Sequence, residues 1–234
     1  MARRKISDVE LLKILRGFNK PYFTVADLEK ILGMSRNVLY VTLNRLVKSG
    51  VLIRLKRGVY QPEFQGLELE KIANELYYPS YLSFESALSK YGILSQIPYS
   101  LTFATTKTTK KQSLAGREVE YRQLKDKLFF GYTLEGGVYL AEPEKAVLDE
   151  LYLMSKGKAV SDLDEWSLVG LKREKLLKYS KEFSQSVQKK IKELAPRIGE
   201  YISTLEGKEA FGSVTNNAAK SAPRSTHSID KGGK

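Results

Sequence analysis

Cysteine is absent from the 234-residue chain, and histidine occurs once, at His227. Without thiols there is no disulfide scaffold, zinc ribbon, iron–sulfur cluster or cysteine nucleophile. One histidine leaves no material for a Ser-His-Asp triad, an HExxH zinc site or a multi-histidine metal site. No run of 18 apolar residues occurs, and no GxxxxGK or GxGxxG phosphate loop, so neither a membrane-spanning helix nor a nucleotide cradle is expected. The opening Met1-Ala2-Arg3-Arg4-Lys5 leads into an amphipathic pattern and not into the continuous apolar stretch of a secretory signal. Zero cysteine fits a reducing cytoplasm. The expectation is a cytoplasmic protein with no cofactor, no metal and no membrane partner.

Catalytic constellations are equally scarce. Glu142, Glu144, Asp149 and Glu150 crowd one predicted helix start, but Glu144 and Asp149, five apart, would point about 140° away from each other on a helix. Glu142 and Glu144 read as favourable charges near a helix N-terminus. No enzymatic role is expected.

Positive charge is present in excess and unevenly spread. The chain holds 39 Lys and Arg against 27 Asp and Glu, a net charge of +12. Residues 1–65 contain 13 basic and 5 acidic side chains, a balance of +8, whereas residues 66–206 contain 21 and 20. A basic module followed by a nearly neutral one suggests that the first part meets a polyanion.

The first 66 residues read as three helices and a hairpin. Leu11, Ile14, Leu15 and Phe18 recur at one helical face behind Ser7 and Asp8, and Gly17 and Pro21 end that helix. Thr24 and Asp27 have capping-box spacing, followed by Val25, Leu28 and Leu32 and a stop at Gly33. Ser35 opens a third helix with Leu39, Leu43, Leu46 and Val47 as its apolar stripe. A short Gly-containing link between two helices is the helix-turn-helix signature. Asn37, Tyr40, Val41 and Asn44 cluster on another face of the third helix, with Arg36 in its first turn. Asn amides suit adenine edges and an Arg fork suits guanine. Arg45 and Lys48 are candidates for phosphate contact or plain solvent exposure. After Gly50 the period changes to two. Val51, Ile53 and Leu55 alternate with Leu52 and Arg54, and Lys56-Arg57-Gly58 turns the chain toward Val59-Tyr60 and Pro62. This predicts a hairpin whose tip carries Arg54, Lys56 and Arg57. Three helices and a basic hairpin make a winged helix-turn-helix, although three-helix modules with basic faces also dock proteins. The Arg3-Arg4-Lys5 arm is either a backbone or minor-groove contact or a free terminus.

The remainder reads as a mixed α/β body. Helical patterns cover Leu67 to Tyr78 and Phe84 to Tyr91; strand candidates cover Leu101 to Thr106, Glu118 to Leu124, Leu128 to Leu134 and Val138 to Leu140, the last two joined by Glu135-Gly136-Gly137. Pro143 sits at a predicted helix start, and the pattern Ala146, Val147, Leu151, Met154 continues to about Ser155. Lys172 to Leu205 reads as amphipathic helices that Pro196 ends or kinks. Lys107-Thr108-Thr109-Lys110-Lys111 reads as a basic loop, solvated or facing nucleic acid or an acidic protein. Tyr77, Tyr78 and Tyr81 are either a partner patch or packing residues. Residues 207–234, rich in Gly, Ser, Thr, Asn and Lys, are expected to be disordered, with His227 inert.

Several of these stretches carry a resemblance. Tyr81-Leu82-Ser83-Phe84-Glu85-Ser86-Ala87-Leu88, then Tyr91-Gly92-Ile93-Leu94, resembles the start of the central domain of AbiEi-type antitoxins. The threonine-rich stretch Thr102 to Thr109, the aromatic Leu128-Phe129-Phe130-Gly131, the run Ala141-Glu142-Pro143-Glu144-Lys145-Ala146-Val147-Leu148-Asp149-Glu150-Leu151-Tyr152 and the wing ending Leu55-Lys56-Arg57-Gly58-Val59-Tyr60 follow the family order. Tyr91 departs from it where a histidine is common. The resemblance spans roughly residues 7–155. It implies an antitoxin of a type IV toxin–antitoxin system that represses its own operon and counters a cognate nucleotidyltransferase toxin, by direct contact or indirectly.

The combined expectation is an α+β chain with three parts. Residues 1–66 form a winged helix-turn-helix whose DNA-binding residues are Arg36, Asn37, Tyr40, Asn44, Arg45, Arg54, Lys56 and Arg57. Residues 67–206 form a mixed α/β antitoxin-like domain with a helical C-terminal part, and residues 207–234 form a tail. Its partner is double-stranded operator DNA, as inverted repeats, together with the toxin. The alternative is a one-component winged-helix regulator whose body senses a small ligand.

Overall fold

A computed structural model describes residues 7–198. The Arg3-Arg4-Lys5 arm, the far end of the last predicted helical stretch, the 207–234 tail and His227 lie outside the described residues.

Local capping explains the first helices. In α1 (Asp8–Gly17) the Ser7 hydroxyl accepts the Glu10 amide, and Leu11 and Leu15 are buried. In α2 (Val25–Leu32) Thr24 and Asp27 form the full reciprocal capping box, and Gly33 closes the helix with φ of 60°, its N–H donating to the Glu29 carbonyl. In α3 (Arg36–Lys48), Ser35 occupies the N-cap position as expected, yet its hydroxyl makes no capping bond. Leu39, Leu43 and Leu46 join Leu11, Leu15, Phe23, Leu28, Leu52 and Tyr60 in one apolar cluster. Each such buried leucine contributes about 1.5–3 kcal/mol.

Strands β1 (Phe23–Thr24), β2 (Leu52–Lys56) and β3 (Val59–Pro62) form an antiparallel sheet in the order β1-β3-β2. The β2–β3 hairpin departs from simple alternation. Its register shifts between Arg54 and Lys56, leaving Leu55 as a bulge residue. Leu52 and Tyr60 face the three helices, whereas Leu55 and Val59 turn to the opposite side and pack on Ile72. All four β3 residues are buried. The hairpin is therefore covered on both faces.

The rest of the chain builds a six-stranded mixed sheet in the order β6-β7-β5-β4-β9-β8: β4 (Ser80–Leu82), β5 (Leu101–Thr105), β6 (Lys110–Leu114), β7 (Arg117–Gln123), β8 (Tyr132–Glu135) and β9 (Val138–Ala141). Pairs β4–β9 and β5–β7 are parallel and the others antiparallel. The register sets two faces. Leu82, Phe103 and Tyr121 lie side by side on one and meet α4 (Leu69–Leu76), whose Ala73 carbonyl accepts the Tyr121 hydroxyl at 2.6 Å. Tyr81, Ala104 and Arg122 lie on the other, which meets α5 (Phe84–Lys90) and α6 (Pro143–Ser155). Helices α7 (Arg173–Ser180) and α8 (Gln185–Leu194) pack against α6. Pro196 follows α8 in a final 3-10 turn. The architecture is mixed α+β: helices, then sheets, then C-terminal helices.

Two expectations are corrected. Lys110 and Lys111 belong to strand β6 and not to a loop; the connection from β5 is only residues 106–109. Lysines on an edge strand look like loop residues in sequence. Leu128 lies in a 3-10 turn, and the following strand starts at Tyr132. The three tyrosines form no common patch: Tyr81 is fully buried, Tyr77 lies tilted against Tyr121 and Tyr78 is exposed.

Helix α6 is buried nearly all round and carries charges with it. Lys145 and Asp149, one turn apart, are fully buried and paired. Asp149 also accepts the Tyr81 and Ser83 hydroxyls, both at 2.9 Å, and Lys145 donates to the Tyr81 oxygen at 2.8 Å. The Lys145 ammonium lies over the rings of Tyr81, Phe130 and Phe183. Burial pulls the lysine down and the aspartate up in pKa, and each partner's charge opposes that drift. Glu142 and Glu144 stand at the helix start as read from sequence, and they also hold α7: Tyr179 and Lys175 bond Glu142, and the Lys172 amide donates to Glu144. Glu150 differs. Both its oxygens are buried without a hydrogen-bond partner, and the nearest Arg122 nitrogen is 3.9 Å away. Burial, then the neighbouring Glu85, push its carboxyl up to about 8.

Two outcomes follow from these charges. Asp149→Ala strands a buried ammonium and is expected to cost about 3–5 kcal/mol in denaturant unfolding, with Lys145→Met/Asp149→Leu recovering most of it. Glu150 keeps its proton in the folded chain up to about pH 8 and loses it in the unfolded chain near 4.5, so it costs stability progressively as pH rises through that window. Glu150→Gln is expected to gain stability over the parent increasingly between pH 5 and 8, read by the fluorescence of the single, buried Trp166; a pH-independent difference would contradict this.

Candidate nucleic-acid interface

Helix α3 turns different faces to different surroundings. Its leucines enter the core. On one flank Arg36 reaches Glu29 of α2, Nε to Oε2 3.7 Å. On the other, Arg45 forks onto Asp8 of α1 through two bonds of 2.7 and 3.2 Å, the bidentate geometry that suits guanidinium and carboxylate. That fork holds the Asp8 carboxyl below its usual range. Between the flanks, Asn37, Tyr40, Val41, Asn44 and Lys48 share a strip about 100° wide, all of them exposed. Val41 is 71% and Tyr40 44% exposed, a high value for apolar side chains with no packing role. Among the described residues neither Asn37 nor Asn44 has a side-chain hydrogen bond, and the strip holds no carboxylate.

The remaining candidates lie at the wing. Lys56 and Val59 pair across a two-residue turn, Arg57-Gly58, with Gly58 at φ of 79°, a left-handed value that favours glycine there. The Gly58 carbonyl accepts the Val25 amide at 3.1 Å, so the turn sits against the start of α2. Arg54 and Arg57 are exposed. Lys56 is not aligned with them. The bulge at Leu55 sends it toward the body, where Nζ donates to Gln112 Oε1 at 2.8 Å. Burial, then the charge of Lys110, lower its pKa.

The structure thus brings Arg36, Asn37, Tyr40 and Asn44 together on one outer surface, ties Arg45 to α1, leaves Arg54 and Arg57 exposed at the wing and directs Lys56 to β6. Sequence reasoning did not connect Gln112, Ala115 and Lys110 with the wing. They lie more than fifty residues downstream, and the only signal was the basic character of residues 107–111.

Among the described residues, no group of three His, Cys, Asp or Glu side chains is placed to hold a metal ion, and no helix is long and apolar enough to cross a membrane. Residues 10–62 match the family described as a transcriptional regulator, AbiEi antitoxin. The match begins inside α1 and ends with the last residue of β3, so the similarity lies in the N-terminal module. No curated protein matches the chain.

Proposed function

We propose, from an N-terminal module similar to that of AbiEi antitoxins, that the chain is an antitoxin that represses its own operon and counters a nucleotidyltransferase toxin. The first 66 residues are the operator-binding domain, residues 67–206 the antitoxin domain, and the operator consists of inverted half-sites. The observation that carries this reading is the exposed strip Asn37, Tyr40, Val41 and Asn44 on α3. It offers two uncommitted amides and an apolar side chain on a helix of 13 residues, about 20 Å long, dimensions that a major groove admits. Amides at that position address adenine edges, and Val41 addresses a thymine methyl. Arg36 serves guanine or phosphate after exchanging Glu29, a surface pair of little net strength. Arg54 and Arg57 neutralise backbone phosphates beside the groove, and the +8 balance of residues 1–65 supplies the attraction at a distance.

The experiment is a titration of the full chain against the duplex upstream of its own gene and a scrambled duplex of equal length. Asn37→Ala and Asn44→Ala are each expected to lower affinity for the promoter about 5- to 150-fold, equivalent to roughly 1–3 kcal/mol, with thermal stability unchanged. Arg57→Ala is expected to weaken both duplexes alike and to reduce the salt slope by about 0.9. Equal affinity of the parent chain for promoter and scrambled DNA overturns sequence-specific repression. For the antitoxin part, co-expression with the neighbouring reading frame restores growth that the neighbour alone arrests. Release of the promoter by a metabolite, with no toxin gene adjacent, replaces this reading with that of a ligand-sensing regulator.

A further inference from the structure

The six-stranded sheet has two outer strands, β6 and β8, and they are guarded differently. Strand β6 carries Lys110 and Lys111, and the Ala115 amide just beyond it is already bonded to the Leu55 carbonyl. Charged side chains and a covering element are the usual defences of a sheet edge against further pairing. Strand β8 has neither. Residues 128–141 hold a single charged side chain, Glu135, and no proline. Thr133, Leu134 and Glu135 are exposed, Leu134 at 61%.

The register fixes which backbone groups of β8 are open. The two-residue turn Gly136-Gly137 makes Glu135 and Val138 a hydrogen-bonded pair, and at the other end Gly131 accepts the Glu142 amide at 2.9 Å. Thr133 and Glu135 therefore bond inward to β9, and Tyr132 and Leu134 point their N–H and C=O groups outward. Among the described residues nothing bonds those outward groups. The Tyr132 and Leu134 side chains share one face of the sheet with Tyr139, which stands opposite Leu134. The Tyr139 ring lies 5.8 Å from that of Tyr132 and 6.2 Å from that of Tyr78, itself 60% exposed. An aromatic and aliphatic surface thus borders the open edge.

We propose that β8 pairs antiparallel with β8 of a second copy of this chain, joining the two six-stranded sheets into one across a two-fold axis at Thr133. The contact belongs to the body alone and is independent of DNA binding.

In that register the strand is complementary to itself. Tyr132 and Leu134 of one copy meet Leu134 and Tyr132 of the other, so all four outward N–H groups find a carbonyl. Each of these pairs sets an aromatic ring against a leucine, an apolar contact of the kind that stabilises neighbouring strands. On the opposite face Thr133 meets its own copy as a small polar pair. Glu135 falls opposite Gly131, so the two carboxylates do not confront each other. This fit of the strand to itself favours a second copy over a foreign strand. Because the β6 edge is guarded, the pairing stops at two copies and does not run on into a filament.

The test is sedimentation velocity of the full chain from about 1 to 200 μM, a range set by the small size of the contact. The expected result is reversible association to twice the 26.5 kDa of one chain, with a dissociation constant on the order of 10 μM. Leu134→Lys places a charge on the open edge and is expected to sediment as a monomer throughout, with the thermal midpoint of the parent because Leu134 is exposed. The lack of cysteine allows the register itself to be read. Thr133 and its copy form a non-hydrogen-bonded pair with Cα atoms about 4.5 Å apart, within the span of a disulfide. Thr133→Cys oxidised with diamide is therefore expected to form a covalent dimer, whereas Val160→Cys, 99% exposed on the loop after α6, is expected to remain monomeric. A parent chain that stays monomeric across the whole range overturns the pairing and leaves β8 to a strand of another protein. A parent that dimerises overturns it as well if Leu134→Lys dimerises equally or if Thr133→Cys links no more than Val160→Cys, since the interface then lies elsewhere.

Discussion

The bulge at Leu55 is the feature on which the rest depends. Alternation along β2 puts Leu52 with the three helices and Leu55, with Val59, against Ile72 of α4. The bulge then keeps Lys56, which pairs with Val59, on that second side instead of returning it to the side of Leu52. The Leu55 carbonyl, freed from the hairpin ladder at that point, accepts the Ala115 amide. A buried apolar contact and a backbone hydrogen bond thus join at one residue, and the wing becomes part of the wall of the larger sheet. The consequence for electrostatics is direct: the register shift turns Lys56 away from Arg54 and toward Gln112, where the charge of Lys110 acts on it.

A wing braced in this way differs from a free hairpin. Its angle to α3 is set by packing on two sides, so the exposed strip of α3 and the arginines at positions 54 and 57 keep a constant relation. It also couples the N-terminal module to the body. Leu55 touches both Ile72 of α4 and Ala115 of the β6–β7 turn, and the wing turn that follows it rests against the start of α2. The body is itself stiffened from within by the Lys145–Asp149 pair, whose hydrogen bonds to Tyr81 and Ser83 link α6 to the sheet. Removing either partner of such a pair leaves a buried ion uncompensated, which is costly.

The alternation of roles along α6 shows how much a motif conceals. The run from Glu142 to Glu150 reads in sequence as acidic residues clustered at a helix start. In the fold, Glu142 and Glu144 face α7, Lys145 and Asp149 face the aromatic layer, and Glu150 faces Arg122 and Glu85. Three different environments act on similar groups: at Glu142 burial is outweighed by Lys175 and Tyr179, which hold the carboxyl down, whereas burial raises both Asp149 and Glu150. Spacing on the helix separates these directions, but nothing in the spacing reveals what each direction meets.

The sequence by itself determined the helices of the first module, their caps, the helix-turn-helix link and the outward strip of α3, because these rest on contacts three or four residues apart and on residue types with strong local preferences. It also indicated β5, β7 and β9, the Gly136-Gly137 turn and the start of α6 at Pro143, for the same reason, but not the short central strand β4. The tertiary structure alone decided the destination of Lys56, the strand character of Lys110 and Lys111, the pairing of Arg45 with Asp8 and the burial of Lys145 with Asp149. Each of these depends on a neighbour brought up by the fold, or on which side of an element is covered. An exposed lysine and a buried one carry the same letter, and solvent access is a property of the assembled chain.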